Sequence, residues 1–158
     1  MNENDDANFS QLQAAAEAKA LDLIARAEQT KQGLAFKLER RGIAAGAVRA
    51  ALDALEASGV IDDERFGRLW LGARLARRAG RAETPRTLEA ALRARGLDKR
   101  TAAAALEKVL DEVAEAALFE RFLQKTFPLA GGERTGDPSV ARNRLKAEGF
   151  SPALIERF

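Results

Sequence analysis

The chemistry open to this chain is mainly that of arginine. Its 158 residues include no His, no Cys and no Tyr, so the commonest general base, the commonest metal ligand and every thiolate route are missing. What remains in quantity is a basic stretch. Residues 65 to 100 carry 11 Lys and Arg against 3 Asp and Glu, and ten of those cations are Arg. A planar guanidinium offers forked donors that match carboxylates and phosphates. Arg74, Arg78 and Arg81 recur at i, i+4 and i+7, which puts them on one face of a helix, with Arg77 alongside. Phe66, Leu69, Trp70 and Ala73 make the adjacent apolar stripe, expected to pack while the arginines face outward. Arg86 and Arg93 share a face of the next helix, and Arg95, Lys99 and Arg100 gather around the Gly96 turn. A charge run is usually a solvated face, and Glu89 can pair with Arg93 for a few tenths of a kcal/mol. The excess of cations is nevertheless self-repulsive without an anionic partner, which favours a binding surface.

Other strings have simpler readings. Three consecutive acids, Asp62, Asp63 and Glu64, invite a Mg²⁺ site, but Gly59 ending one helix and Asp62 or Asp63 capping the next explains them better. Acids there also meet the positive end of a helix dipole. Trp70 is expected in the core rather than stacked on a base. Gly131 to Gly136 superficially resembles a phosphate loop, yet Asp137-Pro138 stands where Lys and then Ser or Thr are required, so the segment is a connector. No metal, cofactor or catalytic residue is expected.

These residues must be held by helices. Ala and Leu dominate and strand-like alternation is missing, so the fold class is all-α. Three segments align: Thr30 to Ile43, Thr84 to Leu97, and Asp137 to Phe150. Each opens on a residue able to cap a helix, with Pro85 and Pro138 at the first helical position of two copies. Each closes on a glycine, Gly42, Gly96 or Gly149, followed by an apolar residue, as in a Schellman ending. Apolar positions before and after each copy predict three tandem three-helix repeats in an elongated, curved arrangement. The expected divisions are a disordered tail over 1–8, repeat 1 over 9–58, a basic repeat 2 over 59–112, and repeat 3 over 113–158 with a short, weakly held last helix after Ser151-Pro152. No Gly or Pro marks the second boundary, and two helices can merge near residues 110–114.

Composition bounds the rest. At 46% hydrophobic and 32% charged, the chain is neither disordered nor a membrane protein, and no apolar run approaches a spanning length. The acidic start lacks the marks of a secretory signal, which makes the cytoplasm the expected compartment. Net charge is −5 over residues 1–64, +8 over 65–100 and −1 over 101–158.

The string Gly59-Val60-Ile61-Asp62-Asp63-Glu64-Arg65-Phe66, followed by Pro85-Arg86-Thr87-Leu88 and Leu92-Arg93-Ala94-Arg95-Gly96-Leu97, resembles the central signature of the RecX regulatory proteins. Ala25 to Thr30 and Leu38 to Ile43 resemble that family's first-unit signature, and the likeness runs from about residue 18 onward. Gly67 and Thr84 depart from it, where the family commonly has Ala and Gly. The resemblance implies a cytoplasmic, non-enzymatic modulator of the RecA recombinase, usually an inhibitor, acting in homologous recombination, DNA repair and the SOS response. It implies a monomer bound along the groove of the RecA–DNA nucleoprotein filament, with no membrane partner. Gly42, Gly59, Asp62, Asp63, Phe66, Gly96 and Gly149 would be its structural signature. The competing reading is a helical-repeat protein that binds DNA directly, though weakly, through the basic middle repeat; an enzyme is the weakest reading.

Overall fold

The computed structural model describes residues 3–77, 81–130 and 133–158. Among them nine helices follow one another: α1 (Glu3–Ile24), α2 (Lys31–Glu39), α3 (Ala45–Ala57), α4 (Asp63–Arg77), α5 (Pro85–Arg93), α6 (Lys99–Val109), α7 (Glu112–Thr126), α8 (Pro138–Ala147) and α9 (Pro152–Glu156). The fold is all-α, and among the described residues the one exception is a two-residue antiparallel ladder between α7 and α8, β1 (Leu129–Ala130) with β2 (Glu133–Arg134). None of the described helices is long and apolar enough to cross a membrane.

Charge accounts for two element boundaries, one of which the sequence leaves open. Helix α1 starts at Glu3, inside the segment expected as a disordered tail, and Asp5 and Asp6 lie near its positive end. Helices α6 and α7 do not merge, because Asp111 interrupts them: its carboxylate accepts the Ala114 N–H at 2.7 Å and starts a new helix.

The chain divides into two compact units, Met1–Phe66 with Arg95–Asp98, and Gly67–Ala94 with Lys99–Phe158. In the first unit, α1 lies chiefly against α3, and α2 also packs on α3. Ala16 and Ala20 are fully buried, and their small side chains let α1 approach closely. Leu34 and Leu38 of α2 and Val48, Leu52 and Leu55 of α3, spaced at three and four residues along each helix, complete the core with Ile61 from the turn after α3. Truncating Leu34 or Leu38 to Ala would cost about 2–5 kcal/mol.

In the second unit the buried side chains include Leu71 of α4, Leu88 and Leu92 of α5, Ala102 and Ala105 of α6, Leu118 and Leu123 of α7, Leu145 of α8, and an aromatic group from α7 onward. Phe119 meets Phe150 edge-on at 5.3 Å between ring centres, and Phe122 stands 5.6 Å from Phe150. The short α9 is retained by burial of Leu154 and Ile155. Ser151 occupies its cap position, but the Ser151 hydroxyl makes no capping bond; instead its backbone N–H donates to Glu115 at 2.7 Å.

Candidate partner-binding site

Each unit contains the same kind of junction, a glycine turn seated on a helix start. In the first unit, Thr30 caps α2 by accepting the Gly33 N–H at 3.0 Å, and its hydroxyl donates to the Arg95 carbonyl at 2.8 Å. One hydroxyl thereby satisfies an orphan donor of α2 and a carbonyl of the turn that follows α5. Gly96 in that turn has φ +99°, and a Cβ placed there would lie 2.7 Å from Gln32 Cβ, so both backbone conformation and space call for glycine.

The Gly59 to Phe66 string braces the same unit. Gly59 has φ +75° after α3, and Asp62 caps α4 by accepting the Arg65 N–H at 2.8 Å. Asp63 turns back to accept the Lys31 N–H at 2.8 Å, so it serves the start of α2 while belonging to α4. Burial raises the Asp63 carboxyl above its usual range; the Lys31 amide opposes this, whereas the Glu56 charge adds to it. Arg65 pairs with Glu28 at 2.9 Å and donates to the carbonyls of Gly59 and Val60. Lys31 Nζ bridges Asp53 at 2.7 Å and Glu56 at 2.6 Å, and these bonds raise its pKa. Among the described residues no group of three or more carboxylates could hold a metal ion.

The second unit builds its junction from charge. Thr84 caps α5 in a reciprocal box with Thr87, and its hydroxyl donates to Glu148 Oε2 at 2.9 Å. Glu148 closes α8 just before Gly149, and its main-chain oxygen accepts the Arg86 N–H at 3.0 Å. Gly149, at φ +85°, leaves room for Pro85, which a Cβ would approach to 3.3 Å. The Glu148 side chain is only 4% exposed, yet Arg86 and Arg144 both bind it, at 3.2 and 3.1 Å. Burial pushes this carboxyl upward, but hydrogen bonds from Arg86 and Thr84 outweigh that and hold it below the usual carboxylate range.

The predicted arginine face is changed by this architecture. The described part of α4 ends at Arg77, and Arg81 lies beyond it in a bend, so Arg74 and Arg81 do not share a helical face; Arg78 lies outside the described residues. Arg74 is not a presented cation. Its side chain is 19% exposed, pairs with buried Glu83 at 2.9 Å and rests over the Trp70 ring at 5.1 Å. Its Nε is buried with no acceptor. The apolar stripe is rotated as well: Leu69 is 56% exposed and Ala73 is exposed, while Gly67 and Leu71 are buried with Phe66 and Trp70 partly covered. Because Gly67 has no side chain, apolar spacing alone drew attention to Leu69 instead of the 67/71 seam.

The remaining cations are placed differently. Arg77 is exposed and turns its Nε to the Ala73 carbonyl at 3.2 Å. Arg81, Arg86, Arg93, Lys99 and Arg100 are exposed in the second unit. Arg95 is exposed in the first, where its carbonyl holds Thr30. Sequence reasoning overlooked Glu83, Glu148 and Arg144. A signal for Glu148 was available in the repeat itself: the residue before the closing glycine is Arg41, Arg95 and then Glu148. That sign reversal marks the copy whose turn carries a carboxylate.

No family model matches the chain. Three curated relatives are each named "Regulatory protein RecX". The one from Treponema pallidum (strain Nichols) is 34% identical over 143 residues, covering 90% of this chain and 82% of its own length. That from Thermobifida fusca is 33% identical over 148 residues, with 92% and 77% covered. That from Halorhodospira halophila is 38% identical over 145 residues, with 90% and 83% covered. Among solved structures, RecX from Lactobacillus salivarius superposes with a TM-score of 0.65 at 16% identity, over 94% of each chain. A second crystal structure of regulatory protein RecX gives 0.62 at 19% identity, over 99% of this chain and 76% of that one. These two likenesses concern the fold.

Proposed function

This chain belongs to the RecX family of regulatory proteins, and from that premise we propose that it binds the RecA recombinase along the groove of the RecA–DNA filament. Docked there, it inhibits ATPase, strand-exchange and coprotease activities. Bridging neighbouring subunits would resist the movements that nucleotide turnover requires, and filling the groove would exclude other clients. Inhibition then needs no bond-making chemistry by this chain. The segments 9–58, 59–112 and 113–158 are taken as its three repeats.

The observation that carries the reading is the group of exposed cations in the second unit: Arg77, Arg81, Arg93, Lys99 and Arg100. A filament groove lined by acidic side chains or passing near phosphates is the kind of surface such a group fits. Arg74 is left out of this set because Glu83 already neutralises it. The test replaces the five exposed cations by Ala and measures suppression of RecA ATPase on single-stranded DNA. Loss of suppression, with the helical circular dichroism spectrum intact, is the expected result. Full suppression by the folded variant would remove these residues from the interface and with them the proposed mode of docking.

A further inference from the structure

Glu148 is a saturated carboxylate facing two unsaturated guanidiniums. Its Oε1 accepts from Arg86 Nη2 at 3.3 Å and Arg144 Nε at 3.1 Å; its Oε2 accepts from Arg86 Nε at 3.2 Å and the Thr84 hydroxyl at 2.9 Å. Arg144 therefore keeps both Nη groups for other acceptors, and Arg86 keeps its Nη1. The carboxylate lies on the inner side at 4% exposure, while the arginines are 62% and 58% exposed. One buried negative charge thus orients two outward cations and leaves a single positive charge uncompensated. The backbone holds the arrangement together, because Arg86 N–H donates to the Glu148 main-chain oxygen at 3.0 Å.

We propose that Arg86 and Arg144 form a clamp for one phosphodiester of a nucleic-acid backbone. A diester carries one negative charge, which balances the surplus, and two non-bridging oxygens, one for each guanidinium. A carboxylate is matched by a single fork and would leave the second arginine idle. Helix α8 supports the same sign of partner: its residues Pro138–Ala147 include Arg142, Arg144 and Lys146 and no acid. This clamp uses Arg86 of α5 and Arg144 of α8, neither of them among the five cations assigned to recombinase docking, and it acts on nucleic acid without the recombinase.

The test measures binding of a fluorescein-labelled oligo-dT to the full chain by anisotropy across a salt series, with no RecA present. R144A and R86A should each weaken binding roughly ten-fold and flatten the log-log salt slope by about 0.7. R142A, which removes an exposed cation roughly half a helical turn away from Arg144, should change affinity much less. Should R144A lose helical signal, R144K supplies the second variant: it keeps a charge beside Glu148 but loses the fork, and weaker binding is again expected. The proposal is overturned if R144A or R144K binds like R142A. It is also overturned if polyglutamate displaces the oligonucleotide as well as unlabelled oligo-dT does, which would assign the arginines to an acidic protein. Because RecA is absent, these outcomes are independent of the ATPase test.

Discussion

The two glycine-turn junctions solve one geometric problem with different chemistry. At the start of α2, a neutral hydroxyl bridges to a carbonyl, and the nearby acid Asp63 sits uneasily, desolvated and beside Glu56. At the start of α5, a buried acid is welcomed by two arginines and a threonine. The corresponding residue before the glycine is Arg95 in one case and Glu148 in the other. A single sign change therefore converts a junction that only holds into one that also gathers cations, and the two should respond oppositely to pH and to neutral substitutions.

The largest expected effect separates them by space. G96A should destabilise by about 3 kcal/mol and G149A by about 2 kcal/mol, combining left-handed strain with overpacking. The order follows from what an added methyl meets, Gln32 Cβ at 2.7 Å against Pro85 Cβ at 3.3 Å. Urea unfolding by circular dichroism reads both, and equal losses would erase the distinction. Next, E148Q should cost about 1–2 kcal/mol near neutral pH, since Gln cannot satisfy both arginines and Thr84. D63N should be neutral or slightly stabilising, because the amide oxygen still accepts the Lys31 N–H and the desolvated charge is gone.

A smaller effect is the pH dependence itself. The Glu148 pKa is lowered in the folded state, so its stabilisation is present above the unfolded value of 4.5 and is lost as pH falls through the folded value. Asp63 is raised above 3.8, so its contribution runs the other way: its unfavourable charge is relieved on acidification. E148Q should therefore flatten the acid-side loss of stability, and D63N should steepen it. Smallest is the difference between caps. T84V is expected to cost about 2 kcal/mol and T30V about 1 kcal/mol, because the Thr84 hydroxyl also serves buried Glu148.

Helix positions were legible because their signals are local. Thr30, Thr84 and Asp137 cap helices where their spacing indicated, and Gly42, Gly96 and Gly149 take positive φ at the ends. Asp111 had a readable signal too, an acid followed by Glu112 and Glu115, but the uninterrupted Ala-Leu pattern masked it. The candidate site was legible only in part. Clustering of cations lies in the composition, whereas neutralisation of Arg74 depends on where the chain returns with Glu83 after α4. The pairing of Arg86 with Glu148 spans 62 residues, and no periodicity encodes a partner that distant. Helical spacing also could not tell which of two neighbouring stripes faces inward once glycine occupied a core position.

The cap of α8 is self-sufficient in a way the other two are not. Asp137 is fully exposed to solvent, and its carboxylate takes both the amide and the hydroxyl of Ser139 at 2.7 Å. Thr30 and Thr84 instead each lend their hydroxyl to a turn from further along the chain. A helix start whose leading hydroxyl is shared depends on a distant stretch of chain, whereas one closed by an aspartate and its neighbouring serine is completed within three residues. The start of α8 can thus face water where the starts of α2 and α5 need a partner from elsewhere in the chain.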